Sequence, residues 1–166
     1  MKRILYIILI SLFTFSCTDE LYEFPDVTGQ WILVEYNVAE GFDINMDGEV
    51  NVNLLQELDC LNDEILTFDV NGVVTSINTF NPSINVSLVE EGLNDYVFDI
   101  ICDNEGSIGI ATSYAQQGEN INFNGAGATI INEELQVVYK DAFTIKDFNS
   151  DEVIETYDIT MVYTKL

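Results

Sequence analysis

Asp43-Ile44-Asn45-Met46-Asp47-Gly48-Glu49-Val50-Asn51 alternates oxygen-bearing side chains with other residues and places a glycine sixth. Alternation allows Asp43, Asn45 and Asp47 to turn their oxygens inward, and the glycine allows the sharp turn that closes the chain around them. The chemistry suited to such a set is coordination of a hard cation, since calcium takes six to eight oxygen ligands. Asp, Asn and Gly also favour turns without any metal, so a solvated Asx-rich turn is the competing account. Four alternating donors with the glycine in place exceed what turn chemistry requires. Groups for covalent chemistry are scarce by contrast. The chain has no histidine and its one arginine is Arg3, which excludes most hydrolytic triads. A GxSxG elbow, a phosphate loop and a dinucleotide fingerprint are absent. The 29 Asp and Glu provide many accidental carboxylate pairs, but no neighbouring residue sets one apart, and a solvated acidic face accounts for them. A non-enzymatic chain is expected.

The acidic loop resembles an EF-hand-type calcium loop. That resemblance implies the backbone carbonyl of Glu49 at position 7 and Asn51 at position 9. Position 12 is Leu54, where the family has a bidentate glutamate, so this part of the match fails. Leu54, Leu55 and Leu58 share a face at helical spacing, which predicts a short helix over 53–58. Glu57 on that helix could reach back to supply the missing carboxylate, with Asp59 as the substitute. An unpaired loop of this kind reads as a structural calcium site.

The N-terminus begins with basic Lys2 and Arg3, followed by an apolar run of about a dozen residues, too short for the ~20 that span a bilayer. Thr14-Phe15-Ser16-Cys17 closes it and resembles the lipobox of bacterial lipoproteins, in which the cysteine becomes N-terminal and lipidated. An ordinary secretory signal with a chance cysteine is the alternative. The expected organisation is a signal peptide at 1–16, an acidic lipid-anchored tether at 17–26 and one domain at 27–166. Export would leave three basic residues against 29 acidic ones, a formal charge of −26. Such a polyanion is repelled by nucleic acid and by anionic lipid, so cations are its natural counterparts. Ten Phe and eight Tyr within 48% apolar composition suffice for a core, so the acidity does not signal disorder. With Cys17 assigned to lipid, Cys60 and Cys102 remain as a pair in an oxidising compartment, where a disulfide is expected over two free thiols.

Beyond the tether the pattern has period two. Leu66-Thr67-Phe68-Asp69-Val70, Asn120 to Asn124 and Tyr157 to Met161 alternate apolar with polar, as half-buried strands do. Asn71-Gly72 predicts a type I′ hairpin turn within 64–79. Further strands are predicted at 29–38, 84–89, 95–102, 107–115, 120–124, 128–132, 135–145 and 152–164. Many short strands with one short helix indicate an all-β antiparallel barrel or sandwich.

Gly29-Gln30-Trp31 resembles the G-x-W opening of lipocalins. The wider arrangement extends the likeness: the Asp47-Gly48 loop, Asn53-Leu54-Leu55, Cys60, Asp63-Glu64, Phe68, Asn71-Gly72 and Met161-Val162-Tyr163-Thr164-Lys165. Together they resemble lipocalin-like lipoproteins of the Bacteroidetes type and cover most of the domain. The family implies an up-and-down β-barrel of about eight strands and a lipid anchor, with no established common ligand. The arginine that packs over the Trp in lipocalins is missing, and Lys165 is the candidate to replace it over Trp31 at the closed end. Phe68, Phe98, Tyr114, Phe123, Tyr139, Tyr157 and Tyr163 are bulky enough to fill such a barrel, while an eight-stranded barrel can also hold one small ligand. The resemblance therefore implies an outer-membrane lipoprotein, periplasmic or surface-exposed, that binds a small apolar or amphipathic ligand. The alternative is a filled barrel acting as an envelope or surface interaction protein.

Overall fold

The computed structural model describes residues 26–89, 95–102 and 109–166, so Cys17, the signal segment and most of the tether lie outside the described residues. Eleven strands are described: β1 Gly29–Phe42, β2 Asn51–Asn53, β3 Ile65–Phe68, β4 Val73–Ile77, β5 Ser83–Leu88, β6 Tyr96–Ile101, β7 Ala111–Gln117, β8 Asn120–Phe123, β9 Ala126–Ile131, β10 Glu134–Asp147 and β11 Val153–Lys165. Eight of them, β1, β3, β4 and β7 to β11, pair antiparallel in that order. β11 returns to β1, with Trp31 opposite Lys165 and Leu33 opposite Tyr163, and closes the barrel. Closure follows from the alternation: every second side chain on these strands is apolar, and closing the sheet buries that face while leaving no free edge among the eight. Leu66 and Phe68, Ile121 and Phe123, Leu135 and Val137, and Met161 and Tyr163 all point inward and are buried.

Two local expectations are corrected. Between β3 and β4 the turn is a three-residue loop: Asp69 exchanges backbone bonds with Val73 and Gly72, and only Gly72 has positive φ, at 80°. The Asp69 carboxylate selects this form over the two-residue turn by accepting the Asn71 and Val73 N–H groups. The helix predicted over 53–58 is a single 3-10 turn, Leu54–Gln56. The Asn53 side chain accepts from both Leu55 N–H and Tyr36 N–H, so it caps this turn and pins it to β1 in one step.

β5 and β6 form a hairpin inserted between β4 and β7. It lies outside the closed barrel and joins the sheet where β5 runs parallel to Ile145–Asp147 of β10. β1, β10 and β11 extend past the barrel to meet it. Phe42, Tyr96, Phe98 and Phe143 stack there at centroid distances of 5.2 to 6.2 Å, so Phe98 fills this outer cluster instead of the barrel. Tyr157, opposite Phe143, also belongs to the extension. The Cys60–Cys102 disulfide, with Cα atoms 5.4 Å apart, ties the end of β6 to the segment before β3. Among the described residues no helix is long and apolar enough to cross a membrane.

Candidate functional site

The barrel has a packed end and a hollow end. At the packed end Trp31 is 2% exposed, and its indole N–H donates to the Val27 carbonyl at 2.7 Å. Lys165 lies with Nζ 5.3 Å from the Trp31 ring centre and donates to the Asp26 carbonyl at 3.0 Å, so the cation covers the indole and ties down the incoming chain. Gly29 has φ of +123°, and a Cβ there would come within 3.0 Å of the Lys165 side chain. This backbone shape and this close approach both call for glycine in the G-x-W segment.

The acidic loop follows β1. The structure gathers Asp43, Asn45 and Asp47 in one tight turn: Asp47 N–H donates to both Asp43 Oδ1 and Asn45 Oδ1, Gly48 N–H to Asp43 Oδ2, and Glu49 N–H to Asp47 Oδ1. Each carboxylate oxygen keeps a second lone pair beyond these bonds. Glu57 does reach back, but to the frame of the loop. Its carboxylate is 4% exposed and accepts from Ile44 N–H, Asn45 N–H and the Asn51 amide. Among the described residues no three His, Cys, Asp or Glu side chains converge as a metal-binding group. Glu57 and Asn51 therefore brace the loop in this geometry, Glu49 and Asp59 are exposed, and Asp43, Asn45 and Asp47 remain the oxygen set facing one turn.

At the hollow end a cavity of about 280 Å³ opens between the inward faces of β1, β3, β8, β10 and β11. Tyr36, Leu66, Phe123, Tyr139, Ile159 and Met161 line it, with Phe80 and Pro82 from the β4–β5 connection at its rim. One carboxyl, Glu64, also lines it and is 2% exposed. Its Oε1 accepts the Ser76 hydroxyl at 2.9 Å and its Oε2 accepts the Phe80 N–H at 3.0 Å. Burial pushes the Glu64 carboxyl above the usual glutamate range, although these bonds and the nearby Tyr163 hydroxyl pull it down. The same burial raises the Tyr36 hydroxyl to about 12, and raises Tyr139 and Tyr163 as well. In the sequence Glu64 enters only through the Asp63-Glu64 pair of the family likeness, with no site role, yet a signal exists: Glu64, Leu66 and Phe68 stand at i, i+2 and i+4, in phase on the inward face.

Because the folded state holds the Glu64 proton more tightly than the unfolded chain does, this group's stabilising contribution is full below the ordinary glutamate range. It is lost as pH rises through the elevated folded value. Glu64→Gln, which cannot ionise, is expected to be more stable than wild type at neutral pH, with the difference shrinking on acidification. Urea midpoints of both chains between about pH 4 and 8 check this. A difference that stays constant with pH would show that Glu64 does not titrate in that window.

The described residues form a closed eight-stranded antiparallel barrel with one packed end and one hollow end, and the buried Glu64 carboxyl lines the hollow; this fold is compatible with a ligand-binding barrel. No family model, curated protein or solved structure matches the chain.

Proposed function

We propose that the chain is an extracytoplasmic lipocalin-like lipoprotein, anchored to the outer membrane through Cys17, whose barrel binds one small amphipathic ligand and performs no catalysis. The observation that carries this is the cavity at the hollow end, apolar on most sides with one set of polar groups converging at Glu64. That is the composition expected of a ligand pocket. At about 280 Å³ it has room for roughly nine waters at ~30 Å³ each, which limits the ligand to a small molecule. The disulfide supports an oxidising compartment. Organic extraction of the protein purified from its native host, followed by mass spectrometry, tests the reading. A reproducible co-purifying small molecule is expected, and an empty barrel would sink it.

The acidic loop supports a structural calcium site within the same proposal, with Asp43, Asn45, Asp47 and the Glu49 carbonyl as the ligands. The gathered oxygens stand on backbone already ordered by five N–H and amide bonds to the same side chains. Calcium in excess is expected to raise the melting temperature of the wild type and leave an Asp43→Ala, Asp47→Ala double variant unmoved. Equal response of the two chains would remove calcium from the account.

A second reading, a structural or interaction lipoprotein of the cell envelope, draws on the packed end. Val27, Trp31 and Leu135 are at most 2% exposed. Co-purification of a stoichiometric protein partner together with an empty barrel would favour it.

A further inference from the structure

Resting on the binding-module reading, we infer that the cavity takes a small organic ammonium, an arylalkyl or alkyl amine, with Glu64 as its counter-charge. The described residues contain three cations, and each is engaged elsewhere: Lys140 with Asp158, Lys146 with Asp151, and Lys165 with the Asp26 carbonyl and the Trp31 ring. The groups facing Glu64 are neutral ones from every surrounding element. They are Tyr36 of β1, Ser76 of β4, the Phe80 N–H of the β4–β5 connection, Tyr139 of β10 and Tyr163 of β11.

A carboxylate buried to 2% exposure without a cation is costly, so it either keeps a proton or takes its counter-charge from outside the protein. The cavity wall favours the second course. Tyr36, Phe80, Phe123 and Tyr139 surround the space with aromatic rings, and Tyr36 and Phe80 meet edge to face at 5.3 Å. Ring faces attract a desolvated cation, and an ammonium also supplies the N–H donors that the free lone pairs of a carboxylate accept. A metal ion is a poor occupant, because one carboxylate among rings falls short of the oxygen set that calcium or magnesium requires. An anion would meet Glu64 with no positive group to offset it. The net charge of −24 further concentrates cations around the molecule.

Calorimetric titration of the purified full chain with 2-phenylethylammonium, its neutral isostere 2-phenylethanol, and phenylacetate tests the assignment. The ammonium is expected to bind about tenfold or more tightly than the alcohol, and the carboxylate not at all. Glu64→Gln is expected to bring ammonium and alcohol to similar affinity. Should Glu64→Gln not fold, the wild type still decides: its ammonium affinity falls as pH drops through the Glu64 titration, while its alcohol affinity stays level. Equal binding of ammonium and alcohol by the wild type, or a preference that survives in Glu64→Gln, overturns the charge assignment and leaves the binding module standing. Binding of none of the three overturns it as well, and the extraction experiment then reports separately on the binding module.

Discussion

Breaking the Cys60–Cys102 bridge is expected to lower folding stability by ~4 kcal/mol, the chain-entropy value for a loop of this length. The bond spans 42 residues, enough to enclose β3, β4, β5 and β6. Its loss is felt unevenly. The eight barrel strands are joined to one another on both sides, whereas the β5–β6 hairpin is held by three parallel register pairs to β10, by the outer aromatic cluster and by the disulfide. A Cys60→Ala, Cys102→Ala double variant should therefore lose amide-exchange protection first along Ser83–Leu88 and Tyr96–Ile101 while the barrel strands keep theirs. Urea denaturation with and without reductant gives the stability change, and hydrogen exchange gives its location. A uniform loss of protection across all strands would show that hairpin and barrel form one cooperative unit.

Trp31→Ala is expected to cost ~3–5 kcal/mol, the usual range for removing a large aromatic from a core. Three consequences combine at that position. The indole is 2% exposed, so its removal leaves a cavity in the interior of the packed end. The Val27 carbonyl loses the indole N–H in a buried setting, and Lys165 loses the ring beneath it. Trp31→Phe separates these effects: it restores most of the volume and a ring under Lys165 but not the hydrogen bond, so a cost nearer ~1–2 kcal/mol is expected. Far-ultraviolet circular dichroism in urea measures both variants, since Trp31 is the single tryptophan and its fluorescence is lost with it. If Trp31→Phe proved as damaging as Trp31→Ala, the hydrogen bond to Val27 would outweigh the packing.

The strands were legible because one face of each is buried, which imposes period two on the sequence. Tyr157 to Met161 and Asn120 to Asn124 carry that imprint directly. Cysteine arithmetic led to the disulfide, and the position of Lys165 on the last strand led to its contact with Trp31. The β5–β6 hairpin shows the same alternation as the barrel strands, which is why its placement outside the barrel was not legible. Alternation reports that a strand has a buried face but not which sheet buries it. Phe98 follows the same logic, since it is half-buried against Phe42 and Tyr96 in the outer cluster.

By itself the sequence determined the all-β class, the extents of most strands, the cysteine pair and the oxygen-rich turn at Asp43, Asn45 and Asp47, because each rests on spacing along the chain. Tertiary structure alone decided that Glu57 braces that turn, that the barrel is full at Trp31 and hollow at Tyr36, and that Glu64 faces the hollow without a cation among the described residues. Those features depend on which side chains meet across a closed sheet: Glu64 finds Ser76 and Phe80 at separations of 12 and 16 residues, and the Trp31 end is sealed by Lys165 from the far end of the chain. Packing between distant segments sets burial and charge neighbourhood, and neither is written in local periodicity.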